Sequence, residues 1–549
     1  MKKTWNILSE KKQRYENENI AQYLLRLRGV RDNERFMHPA FRDMYRYTDM
    51  KNIELAASLI IDGIKGNLRF CVYYDTDLDG VSAGTIMYKY LECHDITSLK
   101  YKINLGKIHG IGHLDTSEFD DIDVLVIVDS LDNNYKIYDK LSKLKDITII
   151  VLDHHEFKTY PENAVLVSSA LNYKNKHLSG SGVTWKMCSY LDTLLETNYA
   201  KSLVDLAACG IVADVCDVSE VSYENRYIVN CGLNNLQNLA LKKMVGSYDF
   251  SSQSIIWSIA PLINAANRTK NNILTVELFL EEDETEIKTI LKQLKALREE
   301  QNASISNFAE ELEIQIHKNN DMENDKVIFG IVNQAPFTGL IATKISNKYQ
   351  KPTIIFYTHD NPEILKGSIR AYGINNFKSI INKTKLAECF GHEAAAGIVC
   401  DLKNVQVLKE VLNEQLKNNT FELKTNVDLL IRMEDVTFDL IAVFEKVSKI
   451  SGKNFKAISV CLKDVEIYDL KLMQGKHTKF SFNGIDFLKW NDTEIHESIM
   501  NANDGECDTY MTIDVIGELS MNEFAGKKGK QFIISDYDNI MYLPEYLRE

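Results

Sequence analysis

The stretch "VYYDTDLDGVSAGTI" (residues 72–86) places three aspartates at alternating positions, directly after the apolar run "FCVYY". On an extended strand, this alternation directs the carboxylates of Asp75, Asp77 and Asp79 to the same side. Like charges this close repel one another. The cluster therefore requires a source of positive charge that the neighbouring sequence does not supply.

Two further segments of the same region also end in an aspartate. The runs "RFCVYYD" (69–75), "IDVLVIVD" (122–129) and "ITIIVLD" (147–153) are apolar and rich in β-branched residues, which is typical of buried parallel strands. A single Asp in the turn after a strand is ordinary. Three of them favour a site at the carboxyl edge of a parallel sheet, where doubly wound folds bind their ligands.

Imidazoles and one more carboxylate extend this set. Asp153 is followed by His154 and His155, and Asp214 interrupts the apolar stretch "AACGIVADV". A carboxylate in such a stretch is costly to bury unless it is paired or bound to a metal. Asp205 and Asp217 fit helix ends or exposed faces, and we interpret them as structural.

The predicted ligands are carboxylates and imidazoles without thiolates. This hard oxygen and nitrogen set suits Mn²⁺ or Mg²⁺ better than zinc or copper. Two divalent ions about 3.5–4 Å apart, which share a carboxylate, form the usual clamp for phosphoester hydrolysis. The pattern therefore predicts a two-ion phosphoesterase centre.

Composition limits the class of protein. The chain has 549 residues, of which 45% are hydrophobic, enough for three or four globular units. Its 10 scattered cysteines indicate reduced thiols, and neither a signal peptide nor a transmembrane run is apparent. We therefore expect a soluble cytoplasmic protein. The net charge of −14 disfavours a general coat for duplex DNA, but it is compatible with an enzyme that has a local basic groove.

The pattern of apolar runs predicts an α/β protein of five parts. They are an N-terminal helical cap (1–50), a parallel-sheet domain (51–245), a linker (246–318), a second α/β domain (319–415) and a strand-rich C-terminal domain (416–549). Within the linker, residues 276–318 are predicted to form a long helix. The short strands and Gly/Asn/Lys turns of the last part predict a small β-barrel similar to an OB-fold.

The ordered motifs resemble a known family. The segments "DTDLDG", "IVDSLDNN", "LDHHEF" and "GIVADV" resemble the four motifs of the DHH phosphoesterase superfamily, and the chain is similar to the RecJ single-strand-specific exonucleases over nearly its whole length. The segments "KGSIRAYGINNF" and "FGHEAAAGI" resemble the DHH-associated (DHHA1) domain, and "MTIDVIGELSMNEFAGKKGKQFIISDYD" resembles the end of the family's OB-fold.

The resemblance implies roles for the residues of the metal centre. The implied metal ligands are Asp75, Asp77, Asp79, Asp129, His154 and Asp214. Asp129 is expected to bridge the two ions. Asp153 is expected to orient the neighbouring imidazoles, and His155 is expected to act in catalysis by facing the scissile phosphate and stabilising the transition state.

The resemblance also implies residues that bind substrate, namely Arg268, Ser368, Arg370, Gly391 and His392. Four positions depart from the family pattern: Phe390 and Asn267 stand where Gly is usual, and two more lie in the parallel-sheet domain. Tyr73 stands where the first motif usually has a His, and Gly106 stands where Arg is usual. Lys107 or His109 is expected to compensate for the Arg missing at Gly106, and Lys107 joins the predicted substrate-binding residues.

The function that the resemblance implies is a Mn²⁺- or Mg²⁺-dependent 5′-to-3′ exonuclease. It would release 5′-mononucleotides from single-stranded DNA in repair or recombination, with a helicase or a single-strand-binding protein as partner. Aromatic side chains of the OB-fold are expected to stack on bases, the candidates being Phe480, Phe482, Phe487 and Trp490. Two alternatives stay open: a phosphodiesterase for short oligonucleotides or cyclic dinucleotides, and a catalytically silent replication scaffold.

Overall fold

The protein is described here by a computed structural model. It describes residues 4–132, 135–144, 146–157, 159, 161–246, 248–319, 324–332, 337–358, 361–421, 424–502, 511–524 and 527–542. The chain divides into two compact units. One consists of Ile7–Leu294 and Asn426–Glu549, and the other consists of Met1–Asn6 and Lys295–Thr425.

The N-terminal segment contains one strand and two short helices: β1 (Thr4–Ile7), α1 (Ile20–Leu27) and α2 (Asn33–Met37). A capping box begins α1, because the side chain of Asn19 accepts from the backbone N–H of Gln22 while the Gln22 side chain accepts from the Asn19 N–H. Gly29, with φ of 81°, follows α1.

A five-stranded parallel sheet forms the centre of the larger unit, in the order β3-β2-β4-β5-β6. Its elements are α3 (Ile53–Lys65), β2 (Phe70–Tyr74), α4 (Leu78–Glu92), β3 (Leu99–Ile103), β4 (Val124–Val128), α5 (Lys136–Leu144), β5 (Thr148–Asp153), β6 (Val165–Ser168), α6 (Gly180–Leu195), α7 (Val204–Ala213), α8 (Tyr223–Leu233) and α9 (Leu239–Val245). Every residue of β2 and β4 is buried, which confirms the predicted buried parallel strands.

The next segment is helical: α10 (Ser252–Ser254), a π-helical turn (Ile255–Ile259), α11 (Ala260–Arg268), α12 (Ile273–Leu280) and α13 (Glu284–Asn319). The prediction of one unbroken helix over 276–318 is wrong at its start. Asp283 interrupts it, because its carboxylate accepts from the backbone N–H groups of Thr285 and Glu286 and begins a new helix.

The smaller unit contains a mixed sheet in the order β10-β11-β9-β8-β7, in which only β7 and β8 are parallel. Its elements are β7 (Ile328–Val332), α14 (Thr338–Tyr349), β8 (Thr353–Thr358), β9 (Ile364–Arg370), α15 (Phe377–Lys383), β10 (Ala387–Gly391), β11 (Ala395–Asp401) and α16 (Val405–Gln415). Helices α15 and α16 pack their apolar residues Phe377, Ile381, Leu408 and Leu412 into the core of this unit.

The C-terminal elements are β12 (Lys424–Val427), β13 (Leu429–Leu430), α17 (Phe438–Ser448), β14 (Val460–Glu466), β15 (Tyr468–Met473), β16 (His477–Phe482), β17 (Ile485–Lys489), α18 (Glu494–Ala502), β18 (Met511–Phe524) and β19 (Lys527–Tyr542). Seven strands form one sheet in the order β13-β14-β18-β19-β17-β16-β15. In the described residues no pairing joins the two edges, so the predicted barrel is open, with the two-residue β13 at one edge.

Two of the four candidate stacking aromatics lie in the core of this domain and are not available to stack on bases. Phe480 and Phe487 are fully buried and stack on each other across β16 and β17, with ring centroids 4.9 Å apart. Trp490 is 49% exposed. None of the helices in the described ranges has both the length and the apolar character that a membrane-spanning helix needs.

Candidate metal centre

The aspartates converge at the carboxyl edge of the parallel sheet. The strands β2, β4 and β5 are neighbours, and Tyr74 of β2 pairs with Val128 of β4. The residues that follow are Asp75 and Asp129, and Asp153 ends β5. The register of the sheet therefore brings these three carboxylates to one edge.

A turn, and not strand alternation, gathers the aspartates of the opening motif. The strand ends at Tyr74, and Asp77 is the N-cap of α4, accepting from the backbone N–H groups of Asp79 and Gly80 at 3.0 and 3.1 Å. Asp79 lies in the first helical turn. The expectation that all three point the same way from an extended strand is wrong, because the strand ends at Tyr74, before the first of the three aspartates.

Three groups of side chains lie close enough to share a cation. Within each group the possible ligand atoms are within 4.8 Å of one another, and the groups are Asp75 with Asp77 and Asp129, Asp79 with His154 and Asp214, and Asp129 with His154 and His155. Nε2 of His154 is 3.2 Å from Oδ1 of Asp129, 3.8 Å from Asp214 and 3.9 Å from Asp79. Asp129 thus belongs to two of the three groups, and His154 belongs to two as well.

The charge state of the centre fits a divalent cation. Oδ1 of Asp129 is buried and accepts no hydrogen bond from the described residues. Burial and the neighbouring carboxylates, first Asp79 and then Asp77, raise the pKa of Asp129 well above its usual range. Burial and Asp75 raise the pKa of Asp77 to about 6. Divalent cations would neutralise this repulsion, and the oxygen-rich donor set suits Mn²⁺ or Mg²⁺.

Helix α6 fixes one of the predicted ligands. The carboxylate of Asp79 accepts hydrogen bonds from Ser179 Oγ at 2.8 Å, from the Gly180 N–H at 2.7 Å and from the Ser181 N–H at 3.1 Å. A Cβ on Gly180 would lie 2.4 Å from Oδ1 of Asp129, so only glycine fits there. Sequence reasoning missed this contact, although "LSGSG", a serine N-cap beside glycines, marks a helix start.

Asp153 holds the two histidines in place. Its Oδ1 accepts from the backbone N–H groups of His154 and His155, both at 2.6 Å, and lies 2.9 Å from Nδ1 of His155. Its Oδ2 accepts from the Leu131 N–H at 2.7 Å. Burial disfavours a charged His155, but the hydrogen bond with Asp153 outweighs it and raises the pKa of His155 to about 9. The His155 imidazole is about half exposed.

A third imidazole approaches the centre from the loop after β3. Nδ1 of His109 lies 3.0 Å from Oδ1 of Asp75, and Nε2 lies 3.1 Å from the Leu131 carbonyl oxygen. The ring centroid of His109 is 4.8 Å from that of His155. Tyr73, in contrast, is buried and donates its hydroxyl to Asn104. The imidazole beside Asp75 is therefore that of His109, which is predicted to replace the Arg missing at Gly106 and not the imidazole missing at Tyr73.

The predicted substrate-binding residues lie in both compact units. In the larger unit, Lys107 is exposed in the loop after β3, and Arg268 is half-buried in the last turn of α11. Neither residue is a member of the three groups that could hold a cation.

In the smaller unit, Ser368 and Arg370 share one face of β9. Oγ of Ser368 is 3.0 Å from the Thr338 hydroxyl, and Nε of Arg370 donates to the Thr343 hydroxyl at 2.9 Å. Both partners belong to α14. Gly391 and His392 lie instead at the β10–β11 hairpin, where Gly391 has φ of 120° and His392 is exposed.

The two aspartates interpreted as structural do make structural contacts, but both are buried. Asp205 accepts from the backbone N–H groups of Leu206, Gln237 and Asn238. Asp217 accepts from the Ser219 N–H and the Asn454 side chain. Asp205 lies in the first turn of α7, which agrees with the helix-end alternative. Neither carboxylate is exposed, because donors distant in sequence satisfy them: the Gln237 and Asn238 N–H groups for Asp205 and the Asn454 side chain for Asp217.

Family models match the two domains that contain the sheets of the larger unit. Residues 69–211 match the DHH family, N-terminal domain, and residues 427–536 match the RecJ OB domain. The chain therefore contains a DHH N-terminal domain and a RecJ OB domain.

Named relatives and a solved structure are similar to the chain over most of its length. The chain is 29% identical to a putative SPbeta prophage-derived single-strand DNA-specific exonuclease, YorK, of Bacillus subtilis strain 168, over 94% of the chain and 95% of that protein. It is 25% identical to the single-stranded-DNA-specific exonuclease RecJ of the same organism, over 91% of the chain and 65% of that protein. The crystal structure of RecJ from Thermus thermophilus in complex with Mn²⁺ matches 95% of the chain, and the chain covers 76% of it, with a TM-score of 0.73 and 20% identity.

Proposed function

We propose that this protein is a metal-dependent exonuclease that hydrolyses single-stranded DNA from the 5′ end and releases 5′-mononucleotides. The observation that carries the proposal is Oδ1 of Asp129, a buried carboxylate oxygen without a hydrogen-bond donor in the described residues, in a residue that belongs to two groups of possible ligands. The names of the YorK and RecJ relatives support single-stranded DNA as the substrate.

Two bound divalent ions would lower the pKa of the attacking water and neutralise the charge that develops on the phosphoryl oxygens. Asp75, Asp77 and Asp129 would hold one ion, and Asp79, Asp129, His154 and Asp214 would hold the other. His155, fixed through Nδ1 by Asp153, would donate from Nε2 to a non-bridging phosphoryl oxygen.

The second compact unit would hold the nucleotide. Arg370 suits a phosphate because its planar guanidinium donates two parallel hydrogen bonds. Burial lowers the pKa of Arg370, and its Nε already donates to Thr343, so its orientation is set before substrate binds. Ser368 on the same face and Gly391 at the hairpin would complete the contact. Lys107 and Arg268 would add phosphate contacts in the larger unit. A role in DNA repair or recombination, with a helicase or a single-strand-binding protein as partner, belongs to the same proposal.

The test uses oligonucleotides of about 50 nucleotides labelled at either end, with Mn²⁺ or Mg²⁺. We expect mononucleotide release from the 5′ end, and loss of activity by at least 10³-fold in Asp129→Asn and His154→Ala. Asp205→Asn is the matched control for a buried aspartate outside the centre. Cleavage of dinucleotides with intact 50-mers would favour the short-oligonucleotide phosphodiesterase. No cleavage of either substrate would favour the silent scaffold.

A further inference from the structure

A second site lies in the N-terminal segment of the larger unit, outside the metal centre. A cavity of about 400 Å³ is lined by Arg31, Arg35, Arg42, Tyr45, Val221 and Tyr223, together with the carboxylates of Asp32, Asp43 and Glu220. None of these residues belongs to the groups that could hold a metal ion. Three guanidinium groups around one cavity point to an anionic ligand.

The distribution of arginine along the chain singles out the same segment. Seven of the 14 arginines lie in the first 46 residues, at positions 14, 26, 28, 31, 35, 42 and 46. Elsewhere the chain uses lysine, since Lys and Arg together number 64. Arginine offers a planar fork that binds two phosphate oxygens at once, which lysine cannot do. The arginines of this segment therefore supply paired hydrogen-bond donors for phosphate as well as positive charge.

Several of these arginines are already used within the protein. Arg26 pairs with Glu18, and Arg28 pairs with Asp428. Arg35 donates to Asp43 at 2.6 Å and lies over the ring of Tyr223 at 3.9 Å. These contacts explain three of the seven residues as structural.

Two arginines at the cavity remain available to a ligand. The side chain of Arg31 is 90% exposed, and its Nε is 3.5 Å from Glu220, beyond a good hydrogen bond. Arg42 is exposed and forms no hydrogen bond or ion pair with another residue in the described ranges. Both guanidinium groups can therefore turn towards a bound anion without breaking a strong contact.

The carboxylates of the cavity already have donors. Asp43 accepts from Arg35 and from the Ala40 N–H, and its side chain has no exposed area. Glu220 accepts from the backbone N–H of Arg31 and from the Tyr223 hydroxyl. Asp32 is the N-cap of α2 and accepts from the Arg35 N–H. Asp43 and Glu220 are therefore largely shielded from solvent, and Asp32 is exposed but acts as a helix cap, while Arg31 and Arg42 carry positive charge at the rim.

An exposed apolar side chain, Val221, lines the cavity, and a second, Phe41, is next to a lining residue in sequence. Phe41, beside Arg42 in sequence, is 66% exposed and touches Tyr227 edge to face, and Val221 is 74% exposed. Guanidinium groups beside an exposed aromatic ring are the combination that binds a phosphodiester backbone and stacks its bases. We propose that this cavity is an accessory site for single-stranded nucleic acid, which contacts backbone phosphates through Arg31 and Arg42. This inference rests on the proposed function.

The test measures binding of a labelled 40-nucleotide single strand by fluorescence anisotropy in EDTA, which prevents cleavage. We expect R31Q/R42Q to weaken binding about ten-fold and to reduce the slope of log K against log salt by about 1.4, which is about 0.7 for each lost phosphate contact. The control is R432Q, which removes an exposed arginine paired with Glu434 and Asp435, and which should bind as the wild type does.

A second pair of variants removes no existing contact. Val221→Glu adds a negative charge at the rim and should weaken binding at least five-fold. Val221→Gln, which introduces a neutral side chain of the same size as glutamate, should not. A strand with neutral methylphosphonate linkages should bind the wild type and R31Q/R42Q equally.

If R31Q/R42Q and Val221→Glu both keep the affinity and the salt slope of the wild type, this inference is overturned. The exonuclease proposal would still stand. An equal loss on the methylphosphonate strand would also overturn this inference, because the contact would then not be to phosphate. A wild-type protein that neither binds nor cleaves single strands would overturn both proposals.

Discussion

At the scale of single residues, two buried aspartates differ in what surrounds their carboxylates. Asp205 accepts three backbone hydrogen bonds, whereas Oδ1 of Asp129 accepts none from the described residues and faces other carboxylates. Asp129 also has φ of 55°, an uncommon backbone conformation for a residue with a side chain. Such a residue is unfavourable for stability unless a ligand compensates it.

We therefore expect Asp129→Asn to raise the melting temperature in EDTA, because the amide removes a repelled charge. The same variant should lose most of the stabilisation that Mn²⁺ gives the wild type. Asp205→Asn should instead melt at a lower temperature with and without Mn²⁺. Thermal unfolding in EDTA and in excess Mn²⁺ measures both effects, and an equal Mn²⁺ shift in Asp129→Asn and wild type would contradict the prediction.

His109 is expected to position Asp75. Its ring lies between the Asp75 carboxylate and the Leu131 carbonyl oxygen, so its loss frees the carboxylate to rotate. We expect His109→Ala to weaken Mn²⁺ binding about ten-fold in calorimetric titration. The substitution His113→Ala, four residues later, is the matched control. Unchanged Mn²⁺ affinity in His109→Ala would show that Asp75 does not depend on this contact.

At the scale of secondary-structure elements, a buried ion pair joins α6 to α8. Nζ of Lys186 is 2.7 Å from Glu224, and both side chains have no exposed area. Lys186 also donates to the Tyr45 carbonyl oxygen, and Tyr173 and Asn175 donate to Glu224. Every charge in this network has its partner, so it is sensitive to the loss of any member.

We expect Lys186→Met to destabilise the protein by about 3–5 kcal/mol, since it leaves Glu224 charged and buried. The double variant Lys186→Met/Glu224→Gln should lose less than the sum of the two single variants. Lys471→Met, which breaks an exposed pair with Asp469, should cost at most about 1 kcal/mol. Urea denaturation measures the free energy of unfolding, and strict additivity of the two buried substitutions would contradict the prediction.

His94, two residues after the end of α4, is expected to make the stability of the protein depend on pH. Burial lowers the pKa of His94, against the opposing charges of Asp192 and Asp95, and its Nε2 is buried without a hydrogen-bond partner in the described residues. A folded-state pKa below the ordinary value of about 6.5 means that the unfolded chain binds the proton more tightly, so stability is lost as pH falls through that value. His94→Phe should lose less stability than the wild type between pH 7.5 and 5.5 in urea denaturation. The variant His38→Phe is the control, and an equal loss in His94→Phe and wild type would contradict the prediction.

At the scale of the whole molecule, the groups that could hold metal, as far as the chain is described, all belong to the larger compact unit. A ligand stabilises the structure to which it binds, by about 2.7 kcal/mol at 100 times its Kd. Metal binding should therefore protect one unit without protecting the other.

Hydrogen exchange with and without Mn²⁺ tests this expectation. We expect slower exchange in peptides that cover the ends of β2, β4 and β5 and the end of α7, and no change in β7, β8, β9 and β11. Asp129→Asn should abolish the protection. Equal protection of both units in the wild type would contradict the prediction.

The sequence by itself determined the parallel strands, their order of appearance and the type of ligand at their ends. These follow from local patterns, since continuous β-branched runs are typical of buried strands and an Asp at each end is visible in the chain. Tertiary structure alone decided which atoms meet. Asp79 is held by the start of α6, some 100 residues away, and His109 reaches Asp75 across 34 residues. Asp205 and Asp217 are likewise satisfied by donors from distant segments, namely the Gln237 and Asn238 N–H groups and the Asn454 side chain. Hydrogen bonds and burial depend on distance in space, which local sequence patterns do not encode.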